Sequence, residues 1–211
     1  MHSALTVVSP NANKGLTTLT RLKSELGISG ATDDALLGAK ILEASSDIET
    51  HLNCVLRSEV VSETFWSFGG CPDVVVLGRY PVSAIGSVTV DGELVPSGEY
   101  RLVGEAGLLY RLDDAGYPSR WRVGRELVVQ YTAGYVMPAE GSPTLPAVLE
   151  AACLELLGSY WTARGRDPLV REEQVEGIGR TVYWVGAVGA SGALPPGVDS
   201  KISAFRRVSI G

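Results

Sequence analysis

Two histidines, three cysteines and three adjacent acid pairs are the first places to look for chemistry in this sequence of 211 residues. His51 and Cys54 are spaced like half a zinc site, but a structural zinc needs four ligands and no second pair completes the set. No metal is expected. A Ser–His–Asp arrangement would have to use His51, which lies beside an apolar helical face, and no G-x-S-x-G elbow occurs. Asp33-Asp34 suits the first turn of a helix, where the peptide dipoles favour negative charge. Asp113-Asp114 reads as a loop and Glu172-Glu173 as a solvated stretch. The glycine clusters "GIGRTV" and "GAVGASG" fit neither the dinucleotide fingerprint nor the phosphate-binding loop. No catalytic residue and no cofactor are therefore expected. Carboxylates that pair only in space stay open, leaving a small hydrolase or carbohydrate-active enzyme as the alternative.

One further stretch invites a chemical reading. In "VVQYTAGYVMP", residues 128–138, Gly134 stands close to Tyr131 and Tyr135 and just ahead of Pro138. The tyrosines have no evident activating partner, so the stretch reads as a structural corner at the end of a strand. Trp66, Trp121, Trp161 and Trp184 read as core or interface anchors.

Composition narrows the class. The length suits one domain, or one with an insertion, and provides enough apolar material for a core without disulfides or metal. The odd, scattered cysteines fit reduced thiols. No apolar run reaches the roughly 18–20 residues of a membrane helix, so no membrane partner is expected. The opening "MHSALTVVSPNANKG" has no basic run followed by a long apolar one, and no secretory leader is expected. Residues 58–140 hold eleven acids against six bases and carry most of the net charge of −6. An acidic body argues against a protein that grips nucleic acid along its length.

The elements that would position these residues follow from periodicity. Leu19, Leu22 and Leu26 recur at helical spacing, with Thr17 or Thr18 as cap and Gly27 as stop. From Thr32 onward, Leu37, Ile41, Ala44, Ile48, Leu52 and Val55 predict one long helix with a continuous apolar face. From about residue 59 the period becomes two, in short runs separated by Gly, Pro and Asp-Gly turns. Asp91-Gly92 is a strong hairpin signal, because that turn requires positive φ at both central residues. A third helix starts after Pro146, and a short C-terminal helix places Val198, Ile202 and Phe205 on one face. The fold class is α+β: a helical bundle core of three to four helices, an inserted small antiparallel β-sheet and an extended C-terminal segment. The expected parts are 1–57, an N-terminal helical part; 58–140, the β block; and 141–211, a C-terminal helix plus tail, packing with 1–57 as one core.

Several segments in order resemble a known family. They are "LTTLTRLKSELGI", "TDDALLGAKILEASSDIETHLN", "RYPVSAIGSVTVDGELVPSGEYRLVGEAGLLYR", "LVVQYTAGYVMPAEGSPTLPAVLEAACLELLGSYW" and "PPGVDSKISAFRR". Together they are similar to the head–tail connector (adaptor) proteins of tailed double-stranded DNA bacteriophages, related prophages and gene transfer agents. The resemblance implies a structural virion protein of the neck, made in the host cytoplasm, with no enzymatic activity. It implies a homo-oligomeric ring, commonly dodecameric, that sits below the portal protein and extends the DNA channel. DNA would pass without sequence-specific binding. The ring would join the capsid to a tail-side connector or tail terminator. Family C-terminal segments commonly reach the portal, which here points to Ile202, Phe205, Arg206 and Arg207. Removal of residues 200–211 is then expected to leave a folded chain that fails to join DNA-filled heads.

Overall fold

Glu59, Val61, Glu63 and Phe65 alternate with Val60, Ser62, Thr64 and Trp66, a two-residue period that puts the first set on one face of a strand. In the computed structural model, which describes residues 2–66, 70–122, 124–164, 172–175, 179–182 and 194–207, that first set is buried. The chain divides into two units, Met1–Ala12 with Val55–Val136 and Asn13–Cys54 with Met137–Gly211.

The first unit contains β1 (His2–Ser9), β2 (Glu59–Trp66), β3 (Val74–Val76), β4 (Val82–Val90), β5 (Glu93–Leu94), β6 (Tyr100–Val103), β7 (Leu108–Leu112), β8 (Pro118–Ser119) and β9 (Glu126–Ala133). A five-stranded sheet runs β1-β2-β9-β4-β5; a second sheet runs β3-β7-β6, with β8 paired to β7. All these pairings are antiparallel. Register places Val61 opposite Tyr131 and Phe65 opposite Leu127, so the buried sets of β2 and β9 share a face. Val75, Leu77, Leu109 and Trp121 complete this core. Asp91 and Gly92 have φ of 52° and 89°, as the hairpin signal required. The Asp91 carboxylate accepts hydrogen bonds from the amides of Gly124, Arg125 and Glu126.

Residues 2–9 fall within the expected N-terminal helical part, yet they form a strand. β1 pairs along its length with β2, more than fifty residues later in the chain. Only Leu5 of the eight is partly buried, so the run carries almost no inward alternation to read.

The second unit holds α1 (Leu19–Leu26), α2 (Asp34–Leu52), α3 (Ala147–Ala163) and α4 (Pro196–Ile202). Thr18 caps α1 by accepting from the Arg21 amide, and Gly27 ends it with φ of 65°. The α2 face expected from spacing is buried at Leu37, Ile41, Ala44, Ile48 and Leu52. It stops short of Val55, because Asn53 takes the left-handed conformation and ends the helix. Ala44 and Ser45 let α3 approach closely: the Ser45 hydroxyl donates to Ile41 O at 2.6 Å and lies 4.0 Å from Cys153 Sγ. α3 packs against α1, α2 and α4. β10 (Glu172–Val175) and β11 (Gly179–Val182) form a separate antiparallel ribbon. The architecture is α+β, with helices in one unit and two antiparallel sheets in the other. Trp184 and most of the glycine-rich stretch before Leu194 lie outside the described residues.

Candidate functional site

The C-terminal segment assigned to partner binding is built from α4 and the single 3-10 turn Ser203–Phe205 that follows it. Pro196 opens the helix, where a missing N–H costs nothing. Val198 and Ile202, four residues apart, fall on one face and are both fully buried. One ion pair and one close polar contact reinforce the docking. The Lys201 ammonium binds the Glu155 carboxylate of α3, and Asp199 Oδ1 lies 2.7 Å from His51 Nε2 at the end of α2. Just past the turn, the Arg207 amide donates to Leu52 O at 2.9 Å.

The four residues singled out for the portal therefore separate into two groups. Ile202 belongs to the core of its own unit. Phe205 and Arg207 are half-buried, and Arg206 is exposed. Cutting at residue 200 would remove Ile202 and the Lys201 pair along with the exposed residues, so the expectation of a folded 200–211 deletion is corrected. The truncation that spares the core begins at Arg206.

Around this segment the reactive side chains are quiet. Burial pushes the Cys54 thiol up despite the opposing charge of Arg207. The Cys153 thiol, also buried, is raised to about 12. His51 is engaged by Asp199 and stands on α2 with no cysteine–histidine cluster around it; no group of three or more metal-ligating side chains occurs among the described residues.

Two carboxylates escaped the sequence reading. Glu59 and Glu63 are 3% and 2% exposed and face inward from β2. Their signal was available, since both stand in phase with Val61 and Phe65 on the inward face of a period-two run. Glu59 Oε1 accepts from Arg57 Nε at 2.9 Å and from the Asn11 amide, and Oε2 accepts from Arg79 at 2.5 Å. Glu63 Oε2 accepts from the Tyr131 hydroxyl at 2.7 Å and from the Gly78 amide at 2.8 Å. Burial and this carboxylate push the Tyr131 hydroxyl well above its usual range, so it stays protonated and donating. Tyr131 thus braces the sheet next to the Gly134 corner.

Burial raises the Glu59 carboxyl, but Arg79, Arg57 and the Asn11 amide outweigh it, and its pKa lies below the ordinary 4.5. A lowered folded value contributes stability that is present above 4.5 and lost as pH falls through the folded pKa. We expect Glu59→Gln to cost about 2 kcal/mol at neutral pH, the scale of hydrogen bonds to a charged group. The urea midpoints of wild type and variant should converge as pH drops below 4.5; a constant gap would show that the ion pairs contribute nothing. A carboxylate held ionised between two guanidinium groups is poorly suited to act as a general acid at neutral pH.

No family model and no curated protein matches this chain. Solved structures do. A chain from the neck of an empty gene transfer agent particle, computed with C6 symmetry, aligns over 99% of this chain and 98% of its own, at 20% identity and a TM-score of 0.59. One from the neck of a native particle, computed with C12 symmetry, has the same coverage at 21% identity and a TM-score of 0.59. A chain of the virion of a native gene transfer agent particle covers 98% of both at 20% identity, with a TM-score of 0.58. The likeness spans both units and establishes the fold. The architecture is thus one that chains of gene transfer agent necks possess, in agreement with the resemblance carried by the sequence motifs.

Proposed function

We propose that this protein is a head–tail connector: a structural neck component that forms a ring below the portal, extends the DNA channel and joins the capsid to the tail. The observation that carries the reading is the near-full-length fold likeness to chains of particle necks with six- and twelve-fold symmetry. The order of the sequence motifs supports it independently. Copies related by such an axis meet through two different faces, a heterologous contact that closes into a ring. Twelve copies, made in the cytoplasm and assembled into the virion neck, are the expected state. The helices form the bundle core, into whose sequence the larger part of the sheet unit, Val55–Val136, is inserted, and the tail-side partner is a second connector or a tail terminator. An acidic body turned toward the channel would let DNA phosphates slide past without being held. The carboxylate-enzyme alternative has no observation in its favour.

Within this reading the portal contact centres on Arg206, Phe205 and Arg207, with Ile202 as the buried anchor that presents them. The test is a chain ending at Phe205, alongside Arg206→Glu in the full chain, each replacing the native gene. Both proteins should keep the wild-type melting temperature within a few degrees, while DNA-filled heads joined to tails fall at least tenfold in electron micrographs. Normal numbers of tailed particles would refute the portal contact. Wild-type particles whose necks lack the protein would refute the connector reading itself.

A further inference from the structure

β1 closes one end of the five-stranded sheet and, among the described residues, pairs with β2 on one side only. An edge of this kind presents a row of backbone groups ready for another strand, and proteins usually guard it with lysines, prolines, bulges or short length. The opposite end is guarded in that way. β5 is two residues long and carries Glu93, and β4 departs from regular register with β9 at two places. β1 has none of this over most of its length. His2–Ser9 contains no Lys, Arg, Asp, Glu or Pro, and its register with β2 is regular from His2 to Val7. Val7 and Val8 are 37% and 51% exposed.

We propose that the outer edge of β1 is a docking edge for a second copy of this chain, which adds the β10–β11 ribbon to the sheet. The inference rests on the ring reading above and names the contact. Charge agrees with this occupant: β10 carries Glu172 and Glu173, and His2–Ser9 is a stretch free of acids that such a strand can approach without repulsion. The donor is in the same sequence. Among the described residues β10 and β11 pair with each other and no third strand. A two-stranded ribbon alone in water is marginal and gains from joining a larger sheet. An acceptor edge in one unit and a donor ribbon in the other supply the two unlike surfaces that a heterologous ring requires. Backbone pairing of this type gives affinity with few demands on side chains. β1, at eight residues, spans about 27 Å. The four-residue strands of the ribbon fit within that length.

Hydrogen–deuterium exchange on the full chain at low and high concentration, together with cross-linking of wild-type particles, tests the proposal. Outward amides of residues 2–9 should exchange at least tenfold more slowly once the ring forms. Cross-links should run from β1 of one copy to β10 or β11 of the next. Thr6→Lys with Val8→Lys guards the edge at two exposed positions. It should keep the wild-type melting temperature and raise the concentration for half-assembly at least tenfold. Rings that leave residues 2–9 unprotected, or double-lysine rings at the wild-type concentration, overturn the edge contact and leave the ring reading standing. Cross-links from β1 to a different protein overturn the choice of occupant. A wild type that forms no ring, alone or in particles, overturns the ring reading and this contact with it.

Discussion

Gly134→Ala is expected to cost the sheet unit about 4 kcal/mol, at the severe end of single substitutions, and to leave little soluble protein. Gly134 has φ of 109°, where a side chain is strained whatever the space around it. Space is also missing. A Cβ there would lie 2.3 Å from Arg57 O, 2.6 Å from Arg57 C and 2.9 Å from Leu56 O. Those atoms are backbone and cannot swing aside. They are also tied down, because the Tyr135 amide donates to Leu56 O, the Ser58 amide to Tyr135 O and the Gly134 amide to Pro81 O, at 2.7, 2.8 and 2.8 Å. Gly141→Ala is the control. Its φ is 97°, but nothing lies within 4 Å of the added carbon, so it should cost only the strain, about 1–2 kcal/mol. Equal urea midpoints for the two variants would show that crowding at Gly134 is not what the corner demands.

Trp121→Ala should cost about 3–5 kcal/mol, the range for emptying a core aromatic site. The ring is completely buried in the sheet core, with the Arg111 guanidinium 5.9 Å from its centre. Its Nε1–H donates to Leu109 O at 3.2 Å, so truncation also strips a buried carbonyl of its donor. Trp121→Phe keeps most of the apolar volume and loses that hydrogen bond, and should cost about 1–2 kcal/mol. Calorimetric melting of the three proteins should rank them wild type, Phe, Ala. An alanine variant as stable as the phenylalanine one would mean the site collapses around the missing ring.

These predictions fall on positions of unequal legibility. The Gly134 corner, the Asp91-Gly92 turn and the inward face of α2 could be read directly, because each is dictated by nearby residues. β1 could not: its strand character comes from pairing with β2, and its own side chains are almost all exposed. Glu59 and Glu63 were overlooked for the opposite reason. Acidic side chains read as surface until partners such as Arg79 and Tyr131 are brought to them by the fold. Ile202 illustrates a third case. Its place on an apolar face with Val198 was legible, but an apolar face can be covered by the same chain or by another. Only three-dimensional packing decides that α4 turns this face inward.

The two units are interleaved along the chain, and this imposes an order of events during synthesis. α1 and α2 are made directly after β1, yet α3, which packs on both, begins at Ala147, after the whole sheet unit has been translated. At about 5–20 residues per second, the buried face of α2 waits roughly 5–20 s for its cover. The sheet unit, complete at Val136, can close during that wait. The face from Leu37 to Leu52 is then the newborn chain's most exposed adhesive surface, and a chaperone that captures this protein on the ribosome should hold it there.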